Sequence, residues 1–371
     1  MSPRFEVADV VSKLGKNIEN LGLNTWQLKT LWSIKKCRTA ALGGHIDACN
    51  ECGNISISYN SCRDRHCPKC QGNKREDWIE ARATELLPVP YFHVVFTLPQ
   101  EINSLAVHSP KLVYDTLFEA TWETLFTFGK TKEMQMGMIP VLHTWGQQLS
   151  LHPHLHCIVP GGGVDKNGIW KNSKPDGKFL FPVKALSKVF RAKYCQKLKA
   201  KVPIAYEQIR QELWQKDWVV FAKKPFGSPK SVVEYLGRYT HKIAISNHRI
   251  RNIDTQNVTF DYKDYKAEGF KKQMTLTHGE FMRRFSLHIL PKRFIKIRHY
   301  GFLSSTWKRQ KLKLLQQKLQ VKLLEKREKK PFLPKCSCCK TGNLQTIAVF
   351  DQRGPPAWYL GGSPSSGSYK S

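Results

Sequence analysis

The chain has 371 residues, 41% of them hydrophobic with 19 Phe, 12 Tyr and 10 Trp, which suffices for a sizeable core and excludes a disordered protein. Its 60 Lys and Arg outnumber 29 Asp and Glu to leave +31, an excess that points to an anionic partner, above all nucleic acid. No apolar run reaches the roughly 18 residues of a membrane span, and the N-terminus lacks the apolar segment of a secretory signal, so the expected setting is the cytoplasm.

In chain order, residues 5–36 carry Val10, Val11, Leu14, Ile18 and Leu21 at helical spacing and predict one or two helices. Residues 37–72 hold six of the 11 cysteines, and a helix rich in Glu, Trp and Ala follows over 75–87. YFHVVFTLP (91–99) is β-branched, aromatic and bounded by prolines, which predicts a strand. Residues 102–130 predict a helix, 139–145 and 154–160 strands, 183–216 a helix with a basic face, and 231–244 another helix. Short strands with turns are expected over 246–290, and a basic helix over 305–330 leads to CSCC at 336–339 and a low-complexity tail. Such irregular alternation predicts an α+β core flanked by a metal module. The expected regions are 1–88 (helices plus zinc module), 89–304 (the central domain) and 305–371 (basic helix, cysteines and tail).

Within the cysteine-rich segment, Cys49-x-x-Cys52 and Cys67-x-x-Cys70 stand 14 residues apart. Each pair suits a tight knuckle, and two knuckles close a tetrahedral structural zinc site. In the reducing cytoplasm such thiols are read as ligands or core residues, not disulfides. Cys37, His45, Cys62 and His66 are candidates for a second zinc site, with core packing of the thiols as the alternative. Arg63, Arg65, Lys69, Lys74 and Arg75 surround the knuckles and are candidate DNA contacts. Cys336, Cys338 and Cys339 contain one further Cys-x-x-Cys with no second pair after it, and read as a vestigial or packing feature.

In SLHPHLHCIV (150–159), His154 and His156 share one strand face about 6–7 Å apart while Leu155 turns to the opposite layer. A lone strand histidine is usually structural, but an alternating pair preceded by His152 favours a shared cation. Gln148 and His152 are the candidate third ligands. His241 ranks below them, about 200° around its helix from Tyr239. In SVVEYLGRYTHK (231–242), Tyr235 and Tyr239 stand at i and i+4 and Lys242 joins their face. A tyrosine hydroxyl attacks phosphorus when a cation withdraws charge from the phosphate, so the two elements together describe transesterification of DNA. Lys242 is expected to stabilise that phosphate or to orient a tyrosine. Trp145, Trp170 and Tyr194 are candidates to stack on unpaired bases, two of the three being expected in the core.

CRTAALGGHI (37–46), YNSCRDRHCPKCQ (59–71), VVFTLP (94–99), LHPHLHCIVPGGG (151–163), YLGRYTHKIAISNHR (235–249) and LPKRFIKIRHYGFL (290–303) occur in this order. Together they resemble the two-tyrosine transposases of the HUH endonuclease superfamily, insertion sequence 91 family; the resemblance fades after about residue 304. It implies a central antiparallel sheet flanked by helices, like that of replication initiators, with the N-terminal module as the family's zinc-binding domain; the expected fold is thus α+β, with a zinc-ribbon-like N-terminal module from the cysteine spacing and a basic helical C-terminal region from the composition of 305–330. It further implies His154 and His156 as ligands of a catalytic Mg2+ or Mn2+, Tyr235 and Tyr239 as nucleophiles, and structural Zn2+; Arg238 and Arg249, beside the tyrosines, are further candidate DNA contacts. The implied reaction cuts single-stranded DNA at element ends through a 5′-phosphotyrosine with a free 3′-hydroxyl. Target DNA and host replication proteins are the implied partners, at the bacterial nucleoid. Two other readings compete. A binuclear metallohydrolase is disfavoured because Ile158 stands where such sites carry Asp; a zinc-dependent, sequence-specific DNA-binding regulator leaves the His and Tyr pairs unexplained.

Overall fold

The computed structural model describes residues 3–70, 72–174, 180–223, 242–265, 267–321 and 333–360, together with 231, 232, 234, 237 and 240; for 72–75, 77 and 360 it describes the backbone alone. Five antiparallel strands form the central sheet: β3 (Tyr91–Thr97), β4 (Gly137–Trp145), β5 (Leu151–Pro160), β8 (Val220–Ala222) and β12 (Tyr300–Gly301), in the order β12-β4-β5-β3-β8. Leu155, Cys157 and Val159 of β5 and Phe92, Val94 and Phe96 of β3 enter one core with helices α5 (Pro110–Thr131) and α6 (Val183–Lys201). Tyr114, Phe118, Phe190 and Tyr194 fill it from the helical side. Each such aromatic contributes on the order of 2–3 kcal/mol by leaving water. Strand alternation sends the even residues of β5 and the odd residues of β3 and β4 to the opposite face. There Ile139 and Ile158 pack with Val232, Phe302 and Leu315.

Two expected helices are each broken by a proline. The 102–130 segment becomes α4 (Asn103–His108) and α5, which starts at Pro110; 183–216 becomes α6 and α7 (Pro203–Gln215). Proline lacks the amide that would continue the preceding helix, and it suits a first turn. The expected strands over 246–290 are β9 (Ile250–Ile253), β10 (Asn257–Asp264) and β11 (Phe270–Thr277), an antiparallel meander. They end in a helix absent from the sequence expectation, His278–Ser286, whose first turn is capped where Glu280 N donates to Thr277 Oγ1. Phe281, Met282 and Phe285 of that helix meet Val7, Val10, Val11 and Ile18 in a second core. The N-terminal helices α1 (Val7–Leu14) and α2 (Thr25–Lys36) therefore share a core with residues 244–289 across the expected boundary at 88. Reciprocal capping bonds at Glu6–Asp9 and Asn24–Gln27 start both helices, each worth about 1 kcal/mol.

The expected C-terminal region also divides. Ser305–Lys318 is helical, with a π-turn over Lys308–Leu312, and its Leu312 and Leu315 pack beneath the central sheet. Residues 322–330 of the expected basic helix, and the tail 361–371, lie outside the described residues. Leu344–Phe350, for which the sequence reading names no element, is a strand (β13) that pairs with β1 (Gly44–Cys49), which pairs in turn with β2 (Ile55–Tyr59). Gly43 permits this approach at φ +67°, since a Cβ there would strike the Phe350–Asp351 backbone. The protein is thus α+β, with antiparallel sheets flanked by helices and cysteine clusters at the N-terminal module. Among the described residues no helix is long and apolar enough to cross a membrane.

Candidate active site and cysteine clusters

Three imidazoles gather on the sheet face opposite the helices: His143 of β4 and His154 and His156 of β5, with one ring nitrogen of each within 4.8 Å of the others. Pairing sets His143 directly across from His154, and Val141 across from His156. His143 is buried and stacks on Trp145 at 4.5 Å between centroids. The imidazole that joins the pair is that of His143, whereas His152, expected from sequence beside Gln148 as a third ligand, is not in the group. His152 is exposed, and it is its carbonyl that contributes, accepting a 2.6 Å hydrogen bond from His154 Nδ1. His156 Nδ1 is 2.8 Å from His93 Nε2 of β3. If each Nδ1 carries the proton it donates, both Nε2 lone pairs face one another at 3.2 Å. Two acceptors at that distance repel unless a cation lies between them, and a cation about 2.0–2.2 Å from each nitrogen spans the gap. The residues present therefore fit a divalent ion. His93 is the kind of outer partner that fixes a ligand's tautomer.

Burial lowers His154 to about 4 and His93 to about 4, and keeps His156 neutral further into acid, helped by the positive fields of Lys242 and Lys296. Lys296 sits on a segment bridged to β4, where Leu142 N donates to its carbonyl. Its ammonium donates to the Lys242 carbonyl at 2.8 Å and lies 5.2 Å from the Trp145 ring centre; burial lowers it to about 7. The sequence reading missed His143, His93 and Lys296 as site residues.

Beside these groups runs an open groove of about 650 Å³, lined by Trp145, Gly237, Lys242, Arg251, Lys263 and Tyr265 among others. Tyr235, Tyr239, Arg238 and His241 lie outside the described residues. Of their neighbours, Val232 is buried against Ile139 and Ile158, while Gly237 and the exposed Lys242 line the groove.

The cysteines form two clusters, each with four sulfurs within 4.8 Å: Cys37, Cys62, Cys67 and Cys70, and Cys49, Cys52, Cys336 and Cys339. The expected set of Cys49, Cys52, Cys67 and Cys70 is not brought together; the two knuckles go to different clusters. The expected second set fails at both histidines. His45 Nε2 lies 3.4 Å from Asp47, and His66 spans Asp64 through Nδ1 and the Leu290 amide through Nε2. In the first cluster Cys70 Sγ is 3.5 Å from Cys37 Sγ and 3.7 Å from Cys62 Sγ. A disulfide would need about 2.05 Å, whereas sulfurs bound to one tetrahedral zinc stand about 3.8 Å apart. The four thiols fit structural Zn2+.

Several expected DNA contacts are drawn into the protein instead. Arg65 donates to the carbonyls of Pro291 and Phe294, Lys69 pairs with Glu6, and Arg249 donates to the carbonyls of Gln147 and Asp261. Arg63 is exposed; the side chains of Lys74 and Arg75 lie outside the described residues. Tyr194 is core and half-buried Trp170 packs edge-on against Phe302, which leaves Trp145 at the groove.

Residues 137–311 match the family described as "Putative transposase", and residues 10–98 match "Transposase zinc-binding domain". "Putative transposase y4qJ" of Sinorhizobium fredii (strain NBRC 101917 / NGR234) is 42% identical over 388 residues, covering 95% of this chain and 97% of that protein. The transposase for insertion sequence element IS801 of Pseudomonas savastanoi pv. phaseolicola is 28% identical over 307 residues, covering 78% and 73%. No solved structure gives a significant match. A zinc-binding module joined to an imidazole-bearing antiparallel sheet, with these relatives, defines the class: a transposase, an enzyme that cleaves DNA. Within that class the chain belongs to the insertion sequence 91 family.

Proposed function

We propose that this transposase cuts and rejoins single-stranded DNA at the ends of its element by tyrosine transesterification, with His143, His154 and His156 as the ligands of a catalytic divalent ion. The observation that carries the reading is the convergence of three imidazoles beside a groove rich in Lys and Arg. When bound, the ion supplies positive charge that polarises the scissile phosphate. Three imidazoles without a carboxylate suit Mn2+ better than Mg2+.

Tyr235 or Tyr239 attacks phosphorus through its hydroxyl oxygen. The new Tyr–O–P bond replaces the phosphodiester bond to the sugar 3′ oxygen, which leaves with the proton as a 3′-hydroxyl. The resulting 5′-phosphotyrosine conserves the bond energy, so a 3′-hydroxyl can reverse the step and rejoin a strand. Lys242 and Lys296 offset the phosphate's charge, and the exposed Tyr265 offers a ring face to an unpaired base. Strand transfer to target DNA and cooperation with host replication proteins in the nucleoid belong to the same reading.

The test incubates the full chain with single-stranded oligonucleotides of element ends and Mn2+ or Mg2+, then runs a denaturing gel. A covalent adduct with wild type, abolished when Tyr235 and Tyr239 are both changed to Phe, is expected. Absence of the adduct with wild type, or its persistence in the double variant, refutes the mechanism; retained binding to duplex DNA without an adduct would favour a regulator.

A further inference from the structure

We propose that Cys49, Cys52, Cys336 and Cys339 hold a second structural zinc ion, which fastens the C-terminal segment onto the N-terminal zinc module. Residues 336–350 lie beyond both family matches, which end at 98 and 311. Across the cluster Cys49 Sγ is 3.6 Å from Cys339 Sγ, and Cys52 Sγ is 3.7 Å from Cys336 Sγ, close to the edge of about 3.8 Å for thiolates on one tetrahedral zinc. An iron–sulfur cluster would interpose several atoms and hold the cysteines further apart.

The two halves repeat one geometry. In Cys49-Asn50-Glu51-Cys52-Gly53, the Gly53 amide donates to the Cys49 carbonyl at 3.1 Å and Gly53 has φ +67°. In Cys336-Ser337-Cys338-Cys339-Lys340, the Lys340 amide donates to the Cys336 carbonyl at 3.0 Å and Lys340 has φ +63°. A left-handed lysine is uncommon, and here the chain adopts it where the matching knuckle uses glycine. Backbone amides are turned onto three of the sulfurs: Glu51 N on Cys49, Cys338 N on Cys336 and Gly342 N on Cys339, at 3.3–3.5 Å. Such donors favour the thiolate. A Cβ at Gly342 would collide with Cys49 Sγ, so the two knuckles approach as closely as glycine allows.

Among the described residues, the segment is otherwise held by its ladder with β1 and a few side-chain ties. Its strand, Leu344–Phe350, lies at the edge of its sheet, with Ile347 52% and Val349 77% exposed. Polar ties such as Asn343 N to Asn50 Oδ1 at 2.7 Å and Thr346 Oγ1 to Asp47 Oδ1 at 2.8 Å set the register. Closing a loop of this length gains most from a metal clip.

The test measures metal content of the purified full chain by mass spectrometry, with limited proteolysis of the C-terminal segment. Wild type and Cys338→Ser are expected to carry two zinc per chain, and Cys336→Ser/Cys339→Ser one, with cleavage after residue 333 accelerated at least tenfold. Should the double variant not be soluble, cobalt replacement in wild type decides: two equivalents of tetrahedral tetrathiolate absorbance support the proposal and one overturns it. One zinc in wild type, two in the double variant, or iron in place of zinc would also overturn it.

Discussion

Changing His143 to Ala tests whether the cation is held across two strands or by β5 alone. The variant leaves two Nε2 atoms 3.2 Å apart and removes the third imidazole opposite them. Loss of an outer partner of a metal ligand already costs about 10- to 100-fold in affinity. Loss of a ligand should reach at least the upper end, about 100-fold or about 2.7 kcal/mol. The assay is calorimetric titration of Mn2+ into the full chain at pH 7.5, beside Gln148→Ala and His152→Ala. Those two should remain within about threefold of wild type, a margin of about 0.65 kcal/mol. Removing the ring also forfeits its stack on Trp145, about 0.5–1.5 kcal/mol of folding stability, so the melting temperature is read in parallel. Unchanged Mn2+ affinity in His143→Ala, or a hundredfold loss in His152→Ala, would refute the three-imidazole site.

Three further outcomes follow from the same surroundings. His93→Ala should weaken Mn2+ binding about 10- to 100-fold by freeing the His156 ring, and equal affinity would show that His93 orients nothing. Lys296, lowered to about 7, is charged below that pH and neutral above it, so single-turnover cleavage should fall as pH rises through 7. Lys296→Arg, which stays charged, should abolish that alkaline limb; its survival would assign the limb elsewhere. His288 bridges Thr144 and Leu149, and burial lowers it to about 4. Its unfolded form binds the proton more readily, so stability is complete above about 6.5 and is lost as pH falls toward 4. The loss is about 2.5 kcal/mol at pH 4.5, visible as a reduced urea midpoint. His288→Gln keeps a donor and an acceptor, and should shrink this pH dependence; the same dependence in both proteins would reject the assignment.

Strand parity is local, so the pairing of His154 with His156 on one face, and of Leu155 with the helical core, was legible from ten residues. Which imidazole joins that pair depends on register. The turn where Gly146 N and Ser150 O close at 2.8 Å, with an irregularity between His143 and Trp145, decides that His143 stands opposite His154. A slip of one residue would have sent His143 to the helical core. The prolines at 110 and 203 mark the two helix breaks in the sequence itself, and Thr277-x-x-Glu280 marks the start of the helix at His278–Ser286, where Thr277 caps the first turn. Which cysteine knuckles meet is likewise tertiary: Cys52 lies closer in sequence to Cys67 than to Cys336, yet it is Cys336 that reaches it. The total, however, was available. Three Cys-x-x-Cys pairs plus Cys37 and Cys62 make eight thiols, which two tetrahedral sites consume, leaving Cys157 and Cys195 to the core and Cys338 exposed. A solitary knuckle near one terminus is therefore read as half of a site, and its missing half is sought in another knuckle at the other end of the chain, as Cys336 and Cys339 meet Cys49 and Cys52.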